Sequence, residues 1–318
     1  MIPALSVTVA ALAATLVPTA QTPTAQTPAP ASSPAPIGED AESVRAYWTA
    51  DRMREAVAAT GARDRAVRGQ EVRGQDGVVP SDEPPGGVPW DGDPGDVAHV
   101  GRLFMVLPGG QKATCTAAVV TAANRDVVST AGHCVHLKAV GGAMKSLLFV
   151  PGYDDGRTPY GSYPSRSVGV SPAWTEREDH AADFAFVTLG TDDRGRHVQD
   201  VVGSLRAAFH AKPSGVRTAL GYPFLSPYDG KALQYCAGNA TPVKDDRLAG
   251  GSQLRPCRMT NGASGGPWYA PTLRGGAVQV AVTSARPKEA GFKDAAWGAM
   301  FNGTAEALFK AQEALTSK

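Results

Sequence analysis

From residue 100 onward the chain is cut into short apolar runs, and this punctuation limits its fold more than any other feature. The runs at 103–107, 117–120, 126–129, 146–150, 184–187, 217–220 and 277–282 are separated by turns of Gly, Pro, Asn and Asp. Runs of four to six residues bounded by turn formers are too short for helices, and they read as β-strands. Many such strands in succession favour a sandwich or barrels over a parallel α/β sheet, so the chain is all-β from here on. One helix closes it: Thr304 is placed to cap a segment whose Ala305, Leu308, Ala311 and Leu315 share a face.

Upstream the character differs. Residues 1–20 read as a signal peptide, uncharged through Val17 and too short to span a bilayer, although the usual basic start is missing. Residues 21–98 read as a Pro/Thr/Ala/Ser spacer, a helical prosegment and a Pro/Gly/Asp-rich linker at 76–96. Thr49 caps the helix expected over 51–59, and Gly61 is its expected stop. The strand-rich part divides into 99–195 and 196–318. Cleavage near 96–100 is expected to release the prosegment and a soluble, extracellular product.

Basic and acidic residues nearly balance, 31 against 30, for a net charge of +1. Such a chain has no field with which to collect nucleic acid or an anionic membrane. Four cysteines, at 115, 134, 236 and 257, allow three disulfide pairings. Export favours disulfides over free thiols, and local pairing is expected, Cys115 with Cys134 and Cys236 with Cys257. No pair has the close spacing of a zinc site, the Asp-rich stretches at 91–96 and 192–193 lack a calcium-loop pattern, and no metal or organic cofactor is called for.

A serine nucleophile needs a base in hydrogen-bond reach, a group to orient that base, and donors for the oxyanion. Ser264 lies in Gly262-Ala263-Ser264-Gly265-Gly266-Pro267, where glycines let backbone N–H groups turn toward a bound carbonyl, and those of Gly262 and Ser264 are the oxyanion-hole candidates. His133 follows a strand in Thr130-Ala131-Gly132-His133-Cys134, its loop anchored through Cys134. Asp183 precedes the buried run Phe184-Ala185-Phe186-Val187, at its mouth, where a carboxylate can fix an imidazole tautomer. Any one of them alone would be an ordinary turn residue; together they make a catalytic constellation.

These three blocks, in the order His, Asp, Ser, resemble those of the chymotrypsin-like serine peptidases, nearest to secreted bacterial members related to glutamyl endopeptidases. Leu220-Gly221-Tyr222-Pro223 and Pro227-Tyr228-Asp229-Gly230 add to the likeness, which covers about residues 100–318. The resemblance implies two six-stranded antiparallel β-barrels with the active site between them. It also implies a secreted endopeptidase acting as a monomer on proteins or peptides, with His133 as base then acid, Asp183 orienting it, and Ser264 forming the acyl-enzyme. A catalytically inactive binding module of the same fold is the alternative. The Gly-x-Ser-x-Gly elbow of α/β-hydrolases is excluded by chain order, since all six histidines precede Ser264.

The chain departs from the family at two places. Many animal members have an aspartate just before the nucleophile, paired on activation with a new N-terminal amine; Ala263 stands there, so the oxyanion loop must be preformed or ordered by other contacts. Arg258, six residues before Ser264, replaces the acidic residue of trypsin-like members and disfavours substrates with Lys or Arg before the scissile bond. Arg258, Thr283 and Ser284 are the expected lining of the substrate pocket.

Overall fold

The structure, a computed structural model, describes residues 35–36, 38–71, 87–287 and 294–316. The expected signal peptide, most of the first spacer and residues 72–86 of the linker lie outside the described residues.

Twelve strands form two closed antiparallel barrels of six. The first comprises β1 (Val100–Val106), β2 (Lys112–Val119), β3 (Val127–Thr130), β4 (Lys145–Pro151), β5 (Tyr163–Val170) and β6 (Ala185–Leu189). The second comprises β7 (Gly215–Gly221), β8 (Gln234–Pro242), β9 (Ser252–Leu254), β10 (Pro267–Pro271), β11 (Ala277–Ala285) and β12 (Ala296–Met300). Both close with the same strand order, first, fourth, fifth, sixth, third, second; β4 pairs with β5 through Phe149 and Tyr163, and β7 with β8 along its whole length.

Period-two alternation decides which core each side chain joins. On β6, Ala185, Val187 and Leu189 fill the first barrel, while Phe186, with Phe184 just ahead of the strand, points outward to Phe301 and Phe309. On β1, Leu103 and Met105 point inward, and Val100, Arg102 and Phe104 point out. Both faces of β1 are buried, because the second barrel and an N-terminal helical pair cover the outer one.

That pair is α1 (Ala41–Tyr47) and α2 (Ala50–Glu71). Val44, Trp48, Met53 and Ala56 pack on Phe104, Leu148, Val150 and Tyr153, and Trp48 Nε1 donates to Ser146 O at 2.6 Å. Thr49 does cap α2, with Arg52 N donating to its hydroxyl at 3.3 Å. Gly61 does not end the helix, which runs to Glu71: one glycine costs only about 1 kcal/mol, too little to stop a helix by itself.

Two other boundaries differ from expectation. The end of the linker is structured, with Val88–Pro89 adding an edge strand to β8 opposite Tyr235 and Gln234, and Trp90 N donating to Leu233 O at 3.0 Å. The closing helix, Gly303–Glu313, is capped by Asn302 rather than Thr304, because the Asn302 carboxamide accepts from both Thr304 N and Ala305 N. It buries Ala305, Leu308, Phe309 and Gln312, and lies back on β5 and β6 of the first barrel.

Candidate active site

The two candidate acid–base residues meet at the mouth of the first barrel. His133 follows β3 in a single 3₁₀ turn, and a Cys115–Cys134 disulfide ties that turn to β2. Closing a loop of 19 residues contributes roughly 3 kcal/mol in the chain-entropy account. The second disulfide joins Cys236 on β8 to Cys257, ahead of the serine turn. Asp183 ends another 3₁₀ turn just before β6 and is fully buried. Its Oδ2 lies 2.9 Å from His133 Nδ1, its Oδ1 accepts from His133 N at 2.8 Å, and Ser284 Oγ donates to Oδ2 at 2.6 Å.

Burial opposes ionisation of Asp183, but the adjacent imidazole and these donors outweigh it, so its carboxyl titrates below the ordinary range. Burial likewise disfavours the His133 imidazolium, and the Asp183 carboxylate outweighs it, so His133 titrates above the ordinary 6.5. Trp174 flanks the imidazole, with ring centroids 6.2 Å apart, and is pinned by donating Nε1 to His136 O.

Ser264 lies in the turn entering β10, held against the first barrel by Thr116 of β2. Thr116 N donates to Ser264 O at 2.8 Å and its hydroxyl to Gly262 O at 2.7 Å. A Cβ at Gly265 would fall 2.2 Å from Thr130 Oγ1 and 2.8 Å from Ala131 N, so the serine turn sits directly on the residues leading to His133. Among the described residues no hydrogen bond joins Ser264 Oγ to His133; such bonds commonly tighten only when substrate is bound.

The turn's backbone donors divide cleanly. Ala263 N, Gly265 N and Gly266 N donate to Thr260 O, Thr283 O and Ala263 O. Gly262 N and Ser264 N have no acceptor among the described residues, so this pair of donors can receive a developing negative charge. Gly262 has φ +96°, and a Cβ there would meet Phe224 Cδ1 at 2.3 Å and Tyr222 O at 2.5 Å, so only glycine fits.

The expected pocket residues behave differently from one another. Arg258 is exposed. Thr283 Oγ1 accepts from Trp268 Nε1 at 2.9 Å, and the Ser284 hydroxyl is taken up by Asp183, so both side chains are engaged by the protein itself. Thr116 and Trp174 carry no motif of their own. Only the neighbouring Cys115, and the Ser171-Pro172 start of the helix Pro172–Arg177, hint that their segments are anchored.

No protein-family model and no curated protein matches the chain. Solved structures do. The protease Anisep from Arthrobacter nicotinovorans is 32% identical with a TM-score of 0.63, over 69% of this chain and 97% of its own. The thermostable serine protease AL20, from an extremophilic microorganism, is also 32% identical, with a TM-score of 0.61 over 70% of this chain and 100% of its own. A Glu endopeptidase shares the fold at 16% identity, with a TM-score of 0.56 over 73% of this chain and 98% of its own. At 32% identity over almost the full length of two known proteases, the chain belongs to the chymotrypsin-like serine proteases, among their bacterial members.

Proposed function

We propose that the chain is a secreted serine endopeptidase that cleaves peptide bonds through an acyl-enzyme on Ser264. The observation that carries this reading is the buried Asp183 carboxylate gripping both Nδ1 and the backbone N–H of His133, beside a serine turn with two N–H groups to spare. With Nδ1–H held by Asp183, Nε2 is the lone-pair nitrogen. It takes the proton as Ser264 Oγ attacks the carbonyl carbon, while the N–H groups of Gly262 and Ser264 receive the oxyanion. The imidazolium then protonates the leaving amine, and water, deprotonated by the same nitrogen, hydrolyses the ester. The two disulfides suit an oxidising, extracellular setting, and among the described residues no helix is long and apolar enough to cross a membrane.

A fluorophosphonate probe tests the chemistry. Covalent labelling of the purified protein, abolished in Ser264→Ala and strongly reduced in His133→Ala, supports the peptidase; a folded, unlabelled wild type points to the inactive binding module. Cleavage of a mixed peptide library reads which residue is preferred before the scissile bond.

A further inference from the structure

Arg102 is an oddity in an otherwise apolar strand. It projects outward from β1, is 0% exposed, and crosses the seam between barrels. Its Nη2 donates to two carbonyls at the ends of one second-barrel segment, Tyr222 O at 3.2 Å and Gly230 O at 2.5 Å, and Nη1 donates to Thr114 Oγ1 at 3.3 Å. The guanidinium also lies over the rings of Tyr222 and Tyr153, at 5.0 and 5.5 Å. Among the described residues no carboxylate accepts from it. A buried cation without a hydrogen-bonded carboxylate is costly, and here carbonyl dipoles and ring faces, with the attraction of Asp229, offset that cost.

The segment from Tyr222 to Gly230 is the backing of the serine turn. Phe224 N donates to Asn261 O at 3.0 Å, Leu225 N to Thr260 Oγ1 at 3.0 Å, and Tyr222 O and the Phe224 ring fill the space where a side chain at Gly262 would go. The turn that presents the Gly262 and Ser264 N–H groups therefore leans on a segment whose two ends are pinned by one guanidinium from the other barrel.

We propose that Arg102 is a positioning residue for the oxyanion turn: by holding Tyr222 O and Gly230 O together it fixes the wall against which Gly262 is set. The proposal rests on the reading of Ser264 as the nucleophile. It also accounts for how the turn is ordered with Ala263, a residue without charge, before the serine. Burial pulls the Arg102 pKa down to about 10, which still leaves it charged at neutral pH.

The test uses the full chain, purified from a secreting host, as Arg102→Met and, separately, Gly230→Ala. The second attacks the same joint from the loop side: a methyl there would meet Arg102 Nη2 at 2.9 Å and Val57 Cγ1 at 2.6 Å, at φ +82°. Thermal melting establishes that each variant folds. Steady-state kinetics on a peptide amide and the rate of fluorophosphonate labelling are then measured. A displaced turn should lower kcat roughly 10- to 100-fold, somewhat less than deletion of an oxyanion donor, with labelling slowed in parallel. KM should stay within about twofold, and the acid limb of the pH profile, set by His133, should not move. A variant that folds with a lowered melting temperature yet keeps wild-type kcat and labelling rate overturns the positioning role while leaving the peptidase intact. Absence of labelling in the wild type overturns both, and separates that failure from the first.

Discussion

Thr116 and Gly262 are joined across the barrel seam by a 2.7 Å hydrogen bond from hydroxyl to carbonyl. The same hydroxyl accepts from Tyr222 N at 3.0 Å, and the preceding residue, Cys115, is disulfide-bonded beside His133. Two consecutive residues of β2 thus register His133, the serine turn and its backing segment against one another.

Thr116→Val should uncouple them. It removes a buried donor and a buried acceptor and leaves Gly262 O and Tyr222 N without this partner, at about 1–3 kcal/mol each. Melting temperature should fall, and kcat with it, while Thr116→Ser should retain most of both. Calorimetry and steady-state kinetics on the pair of variants check this.

The acid limb of kcat/KM should lie above pH 6.5. His133 must be neutral to accept the serine proton, and its raised pKa means activity is lost as pH falls through that raised value. In Asp183→Asn the attraction for the imidazolium disappears and burial alone acts, so the limb should move below 6.5, with kcat down ~10⁴-fold from the wrong tautomer. A pH–rate profile of both proteins decides it.

Acid should also loosen the seam through His99, which is buried at the start of β1 with Nε2 2.8 Å from the Tyr269 hydroxyl. Burial lowers its pKa from 6.5 to about 4. A histidine charged more readily in the unfolded chain costs stability as pH drops from about 6.5 to about 4, here on the order of 3 kcal/mol. Below that window the loss from this group is complete. His99→Gln keeps a polar partner for Tyr269 and should flatten the decline, read by denaturant titration at several pH values.

Truncation should separate the N-terminal elements. A chain beginning at Gly87 keeps the Val88–Pro89 strand, the Tyr228–Gly87 hydrogen bond and the Trp90–Tyr235 ring contact; one beginning at His99 loses all three. The second should melt roughly 6–12 °C below the first, for about 3 kcal/mol lost. Both lack α1 and α2, whose burial of Trp48 and Met53 contributes about 1.5–3 kcal/mol per large side chain. Melting curves of the three lengths, with fluorophosphonate labelling, measure this. A processing cut near 96–100 would remove the edge strand together with the helices, and the difference between the two truncations measures what that loss costs.

The parts of the site legible in the sequence were those with a local signal: glycines crowding Ser264, a cysteine beside His133, a carboxylate heading an apolar strand at Asp183. Strand punctuation likewise made the all-β class readable. Hidden were the residues whose partners are distant in sequence. Arg102 looks like an interruption in an apolar run until the loop at 222–230 closes over it, and nothing near Ser284 in the sequence signals its bond to Asp183, 101 residues away. Helix ends were misplaced for the opposite reason, since one glycine or one threonine is a weak signal that a neighbouring carboxamide or a packed surface overrides.

The C-terminal helix carries a consequence for how the molecule is made. Gln312 accepts from Thr188 across 124 residues of chain and donates to Ser167, covering the outer wall of β5 and β6. In a chain that folds as it emerges N-terminus first, the turns bearing His133 and Asp183 come early, yet that wall stays open until Gly303–Glu313 arrives to cover it. Contacts so distant in sequence form late. The two barrels are thus not folded one after the other: the outer wall of the first waits for a helix that follows the second.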